Sequence, residues 1–304
     1  MNKPIILKAA DLPDWTTEAL KARFTVLELP EGAAAAAFLR EHGPTIRGIA
    51  LRKTIVDVAL LDALPALEII SSYSAGLDNV DTQAAKARGI VIETTSHVLA
   101  EDVANMALGL ALAVTRDLVN ADAFVRSGQW LKAPQYPLGR SISRMRVGIV
   151  GLGTIGSAIA RRLTAFGSHI SYFGPNRKPV DFAYHDDVID LAADSDMLIL
   201  TCPLSPVTHH LVDAPVIDAL GSKGFLVNIS RGPVVDERAL IAALAEDRLA
   251  GAALDVFEHE PSVPLALIQD TRLILTPHMG SGTEETRRGM AQNVVDTLVR
   301  HFRL

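Results

Sequence analysis

Apolar residues along this chain fall in short runs of four or five, and the stretches between the runs repeat apolar positions at the three-to-four spacing of a helix. Buried parallel strands and their crossover helices produce that alternation. In the first third of the chain the runs 4–8, 25–29, 48–51, 67–70 and 89–93 predict strands, and 33–40, 58–64 and 81–88 predict helices. A longer helix follows, with Ser96 as its N-cap and an apolar face through Val103, Met106, Leu110 and Val114. Segment 128–139 holds two prolines, two glycines and two aromatics and reads as a loop. From Met145 the alternation resumes, with strands over 147–150, 169–173, 197–201, 225–229, 252–257 and 273–276. Helices are expected over 157–166, 187–193, 214–220 and 237–246, and a final one over 283–302. Six strands with crossover helices are enough for a complete dinucleotide-binding sheet.

The centre of that second unit is Val147-Gly-Ile-Val-Gly-Leu-Gly-Thr-Ile-Gly156, where Gly151, Gly153 and Gly156 stand in G-x-G-x-x-G spacing between a strand and a helix. Gly151 suits a tight turn, Gly153 a close approach of backbone to a pyrophosphate, and Gly156 close packing of helix on strand. The free N–H groups at the helix start, with the positive end of its dipole, favour an anion there.

The 304 residues suffice for two domains with cores of their own, and a net charge of −6 gives no electrostatic reason to expect nucleic acid or an anionic membrane. The single cysteine, Cys202, ends an apolar run and reads as a buried thiol in a reducing, cytoplasmic protein. The opening Met-Asn-Lys-Pro-Ile-Ile-Leu-Lys is too short an apolar run for a signal segment. The most apolar helical stretch, 103–114, contains Asn105 and falls short of the ~20 residues a membrane span needs. His209 and His210 have no acidic neighbour at useful spacing and read as structural. Without clustered Cys/His ligands or an H-E-x-x-H motif, no metal is expected.

An NAD site places Asp or Glu at the end of the second strand, about 20 residues past the glycines. Here the strand 169–173 runs into Gly174-Pro-Asn-Arg-Lys178, and no acidic residue occurs from Gly151 to Val180. The missing carboxylate, with Asn176, Arg177 and Lys178 in its place, favours a 2′-phosphate and so NADPH over NADH.

Three later strand ends carry candidate chemistry, where open α/β sheets hold their ligands. Arg231 follows the strand 225–229, Asp255 lies late in the strand 252–257 with Glu260 beyond it, and His278 follows the last strand. Beside a reduced nicotinamide this set suffices for carbonyl reduction. His278 would deliver the proton, and Glu260 would favour its protonated form. Arg231 would hold a carboxylate in a bidentate fork and polarise the carbonyl, and Asp255 would orient the nicotinamide.

At these residues the chain resembles the D-isomer-specific 2-hydroxyacid dehydrogenase family. The likeness runs through Ser74-Ala-Gly-Leu-Asp-Asn-Val-Asp81, 147–156, Asn228-Ile-Ser-Arg-Gly-Pro233, 251–261 and Thr276-Pro-His278. It leans toward the NADPH-dependent glyoxylate/hydroxypyruvate and hydroxyphenylpyruvate reductases, through 71–78, 170–173 and 277–286. The resemblance implies an α/β protein of two Rossmann-like domains with parallel sheets. A cofactor domain over 98–281 is inserted into a flavodoxin-like substrate domain of 1–97 and 282–304. It implies Arg231, Glu260 and His278 as the catalytic set, with the substrate, held by Arg231 and His278, also met by Ser74, Ala75 and Gly76. The cofactor would touch Thr154, Ile155, Cys202, Pro203, Ile229, Arg231, Asp255, His278 and Gly280 besides the glycines and 176–178. The small 2-keto acid would be enclosed by domain closure, and the protein would be a homodimer built on the cofactor domain.

The chain departs from the pattern in places. Ala133 stands where vertebrate glyoxylate reductases carry a second tryptophan, and Pro175 where many NADPH-dependent relatives carry Arg. Leu51-Arg-Lys53, near the expected substrate mouth, is more basic than the family leads one to expect, which makes Arg52 a further candidate substrate contact and raises a second acidic group on the substrate. Two other readings stay open: an NADH-linked enzyme of the phosphoglycerate dehydrogenase type, and a corepressor-like scaffold that senses nucleotide without turnover.

Overall fold

The computed structural model describes residues 3–9 and 11–304; Met1 and Asn2 of the opening segment, and Ala10, lie outside the description. The chain divides into two compact units, Met1–Leu99 with Thr283–Leu304, and Ala100–Gly282.

In the first unit the strands β1 (Ile5–Ala9), β2 (Thr25–Glu28), β3 (Ile46–Leu51), β4 (Ile69–Ser72) and β5 (Val91–Glu93) alternate with helices. These are α1 (Asp14–Arg23), α2 (Ala34–His42), α3 (Val58–Ala63) and α4 (Thr82–Ala87). The sheet order is β2-β1-β3-β4-β5, the flavodoxin-like order, and every pairing is parallel. Its core gathers Leu7, Ile49, Leu51, Leu61 and Ile70. The C-terminal helix α12 (Glu284–Phe302) returns to this sheet, where the Ser71 hydroxyl donates to the Val294 carbonyl.

Helix α5 (Ser96–Arg116) leads into the second unit, followed by α6 (Leu118–Arg126). The strands are then β6 (Arg146–Val150), β7 (His169–Phe173), β8 (Ala183–His185), β9 (Met197–Leu200), β10 (Phe225–Asn228), β11 (Gly251–Leu254) and β12 (Leu273–Leu275). The intervening helices are α7 (Thr154–Ala165), α8 (Val188–Ala193), α9 (Ala214–Leu220), α10 (Glu237–Ala245) and α11 (Leu265–Gln269). The order β8-β7-β6-β9-β10-β11-β12 is the Rossmann order with a seventh strand added, and its pairs are parallel. The direction of winding reverses between β6 and β9, so the loops after these two strands flank the crevice where such sheets bind nucleotides.

Aspartates start the helices. Asp57, Asp81, Asp187, Asp213 and Asp236 each accept an N–H of the first turn of α3, α4, α8, α9 and α10. The helices expected from 81 and 187 therefore begin one residue later, with Asp as the cap.

Several expectations change. Ser96 is the first helical residue of α5 rather than its cap; the carbonyl of Thr95 accepts the opening helical bonds from Val98 and Leu99. The helix has 21 residues, so by length and composition it could cross a membrane. More than half of its apolar window is buried in the fold: Val103 packs against Gly280 and Val114 against Gly251. Met106, expected on the apolar face, is half-buried, and the buried stripe runs through Val103, Ala107, Leu110 and Val114. Four short elements escaped the pattern. Helix α1 buries only Thr16, Thr17 and Leu20, too little for an apolar stripe, and α6 buries no residue at all. Strand β8 is a three-residue edge paired with Ser171–Phe173, and α11 is a single turn after Pro264.

Candidate active site

The glycine loop joins β6 to α7. Gly151 takes φ +98, a left-handed conformation that a side chain disfavours, and a Cβ there would lie 2.9 Å from the Cys202 backbone N. A Cβ on Gly156 would lie 2.2 Å from the Gly151 carbonyl oxygen, so the first turn of α7 sits directly on the loop. Thr201 at the end of β9 donates its hydroxyl to the same carbonyl. Gly153 faces open space, and no side chain caps α7, which leaves the N–H groups of its first turn directed into the crevice.

A cavity of about 470 Å³ opens beside this loop. Gly151, Gly153, Asn176, Lys178, Cys202 and Pro203 are among its walls. The loop after β7 is pinned from beneath: the N–H of Lys178 donates to the Tyr172 hydroxyl at 2.6 Å, and the Tyr184 hydroxyl donates to the Gly174 carbonyl at 3.1 Å. Arg177 is exposed on the loop and does not line the cavity. Thr154 and Ile155 form the start of α7 without lining it, Thr154 exposed and Ile155 half-buried. Cys202 is 8 % exposed, and burial pushes its thiol up to about 11. The residues present thus fit a dinucleotide: a bare backbone cradle, an uncapped helix start, and, over 174–178 directly after β7, cations and no carboxylate.

At the later strand exits His278 Nδ1 lies 2.8 Å from Glu260 Oε2. The other Glu260 oxygen, Oε1, accepts the N–H of Phe257 at 3.2 Å, which fixes the carboxylate on its own turn. His278 is left-handed at φ +51, and its N–H donates to the Asp255 carbonyl at 2.8 Å. Asp255 is the first residue past β11 rather than late in the strand. Its carboxylate accepts the Thr276 hydroxyl and the N–H groups of Met279 and Gly280. Arg231 stands three residues past β10, with Nη1 donating to the Ser230 carbonyl at 2.8 Å. Ile229, between the strand and Arg231, is buried. The Arg231 loop meets the Glu260 turn through Gly232, which packs on the backbone of Phe257 and Glu258. An apolar cavity of about 320 Å³ adjoins the histidine–glutamate pair, walled by Phe257, Pro261, Ile268, Leu275 and Pro277.

His210 is not without an acidic neighbour: its Nε2 lies 2.7 Å from Glu258 Oε1, a residue 48 positions away. Glu258 also receives the Glu237 N–H and gives its own N–H to Glu237 Oε1. His210, Asp236 and Glu258 hold ligand atoms within 4.8 Å of one another, a grouping that local spacing in the sequence does not reveal.

In the first unit Ser74, Ala75 and Gly76 follow β4 as half-buried positions, and Ser74 donates its N–H to the Ser72 hydroxyl at 3.1 Å. Arg52 follows β3, donates to the Asp11 carbonyl at 3.1 Å and stacks over Tyr73 at 5.5 Å.

Residues 108–280 match the family model of the D-isomer specific 2-hydroxyacid dehydrogenase NAD-binding domain. The chain belongs to the D-isomer-specific 2-hydroxyacid dehydrogenase family. It is similar to glyoxylate/hydroxypyruvate reductase A of Arabidopsis thaliana, 46 % identical over 98 % of this chain and 95 % of the relative. Hydroxyphenylpyruvate reductase of Plectranthus scutellarioides is 44 % identical over the same shares. Among solved structures, the NADPH-dependent glyoxylate/hydroxypyruvate reductase of Sinorhizobium meliloti, in complex with NADP and malonate, superposes with a TM-score of 0.88. It is 40 % identical, and the match covers 99 % of this chain and 94 % of that one. As a member of this family the protein is an NAD(P)-dependent oxidoreductase.

Proposed function

We propose that the protein reduces small 2-keto acids, glyoxylate and hydroxypyruvate first, to D-2-hydroxy acids with NADPH as the preferred donor. The observation that carries this reading is the contact between His278 Nδ1 and Glu260 Oε2 at the exits of adjacent strands in a dinucleotide-binding unit. Glu260 binds one ring nitrogen and so fixes the ring, leaving Nε2 to donate to the substrate oxygen as that oxygen gains charge. Arg231 receives the substrate carboxylate and polarises the carbonyl. The nicotinamide supplies the hydride. In the first unit Ala75 and Gly76, with Ser74 beside them, offer backbone N–H groups to an acidic substrate, and Arg52 a cation. Gly151, Gly153, Thr154, Ile155 and Gly156 take the pyrophosphate. Asn176, Arg177 and Lys178 take the 2′-phosphate, while Cys202, Pro203, Ile229, Asp255 and Gly280 border the rest of the cofactor.

NADPH preference is supported by the end of β7, which runs directly into Gly174-Pro-Asn-Arg-Lys178 without a carboxylate at the strand end. A homodimer is supported by the apolar side chains that α6 and the following loop leave exposed, Leu118, Val119, Val125, Trp130, Leu131 and Leu138. The deciding experiment is a steady-state panel of glyoxylate, hydroxypyruvate, hydroxyphenylpyruvate and 2-ketogluconate, each with NADPH and NADH. Turnover of glyoxylate or hydroxypyruvate with NADPH is expected. Better turnover with NADH refutes the cofactor assignment, and no turnover with any member refutes the reaction.

A further inference from the structure

Two buried polar side chains at neighbouring strand exits, Asn228 and Asp255, are 1 % and 2 % exposed, and among the described residues their side chains bond to the loops that carry Arg231 and His278. We infer that Asn228 and Asp255 are a linked pair of positioning residues, Asn228 setting Arg231 and Asp255 setting His278, for the reduction proposed above on which this inference rests.

Asn228 closes β10. Its Oδ1 accepts both the N–H of Ser230, at 3.0 Å, and the Ser230 hydroxyl, at 2.8 Å. Its Nδ2 donates to the Arg231 carbonyl at 3.0 Å. Three bonds from one side chain fold residues 228–231 into a fixed turn. The amide is needed at both ends: Oδ1 meets only donors and Nδ2 meets an acceptor, so Asp in this place would turn a lone pair toward the Arg231 carbonyl.

Asp255 does the opposite work, since every partner of its carboxylate is a donor. Oδ1 accepts the Thr276 hydroxyl at 2.6 Å and the Met279 N–H at 2.9 Å, and Oδ2 accepts the Gly280 N–H at 2.8 Å. These bonds bracket His278 on both sides while the Asp255 carbonyl takes the His278 N–H itself. That residue is left-handed and not glycine, a conformation that persists only where its surroundings impose it. Asn at position 255 would turn an NH₂ group onto one of these donors. The two brackets are joined, because the N–H of Asp255 donates to the Asn228 carbonyl at 2.9 Å.

A shift of about 1 Å in a reacting group is enough to cost roughly a hundredfold in rate, so such brackets are felt in turnover without touching substrate. The test compares N228D and D255N, with the milder S230A and T276V removing one bond from each bracket, against the parent enzyme with NADPH and the keto acid it turns over best. N228D should raise KM for the keto acid about tenfold with a smaller change in kcat, because Arg231 holds the carboxylate. D255N should lower kcat about a hundredfold with KM nearly constant, because His278 acts as the proton moves. S230A and T276V should show the same split in weaker form, and they carry the test if the buried variants fold poorly. Cofactor affinity, read by NADPH fluorescence titration, should stay within about twofold in N228D, S230A and T276V, which leave every group bordering the cofactor in place.

NMR of the protein without substrate reads the brackets independently of turnover. D255N should shift the His278 ring signals and N228D the Arg231 side-chain Nε–H signal. If the parent reduces no keto acid, the reaction assignment fails while these shifts still decide the bracket. Kinetic constants within twofold of the parent in all four variants, unmoved NMR signals, or, in N228D, S230A or T276V, a loss of NADPH affinity matching the loss of rate would each overturn the inference.

Discussion

The backbone of Phe257 passes so close beneath Gly232 that a Cβ there would lie 1.8 Å from the Phe257 carbonyl carbon. This contact is where the loop bearing Arg231 meets the turn bearing Glu260, and no side chain can occupy it. Gly232→Ala is therefore expected to push the two apart. Overpacking of this kind costs about 1–3 kcal/mol of stability, and turnover should fall further than the stability loss explains. A variant with parental kcat and Tm would show that the two loops are not braced by this contact.

His278→Ala removes the proposed proton donor and leaves the dinucleotide cradle intact. Loss of a general acid costs typically about 10²–10⁴ in rate, so kcat should fall by that range while NADPH still titrates with parental affinity. Glu260→Gln keeps a hydrogen-bond partner for the ring without its charge, and should fall between parent and alanine variant. Stopped-flow hydride transfer at saturating substrate checks both.

Cys202 lies on the wall of the dinucleotide cavity, yet burial raises its thiol to about 11. Near pH 8 only about one molecule in a thousand would carry the reactive thiolate. Native protein should resist iodoacetamide while urea-unfolded chain labels at once, and mass spectrometry of timed samples distinguishes the two. Rapid native labelling would mean that the cavity wall opens.

Burial raises the Glu237 carboxyl above its ordinary 4.5, with the neighbouring Glu258 charge acting the same way, against the Glu258 N–H that it accepts. The native state therefore holds this proton to higher pH than the unfolded chain does. The resulting cost is absent below about 4.5 and grows as pH rises through the native value. Glu237→Gln keeps the acceptor and removes the charge, so its Tm should exceed the parent's near neutral pH, and the difference should vanish in acid. Thermal melts across that range decide it; an unchanged Tm at neutral pH refutes the assignment.

Leu131 and Leu138 are 93 % and 100 % exposed in the loop after α6. If this loop and α6 form the dimer interface, Leu131→Asp should lower the mass measured by light scattering toward the monomer's 32.6 kDa. A parent already at that mass removes the proposal.

The sequence by itself determined the two parallel sheets, most of their strands, and the glycine turn. Runs such as 197–201 and 225–229 must be buried on both faces, and the conformation at Gly151 admits no other residue comfortably. It also singled out Arg231, Glu260 and His278, because each follows a readable strand. Tertiary structure alone decided what no local spacing encodes. It gave His210 its partner 48 residues away and spent the Asp255 carboxylate on the loop around His278. It also made Asn228 the fastening of Arg231. The physical reason is range. Apolar periodicity is set within one element, whereas a buried polar group is satisfied by whichever donor the packing of separate elements delivers.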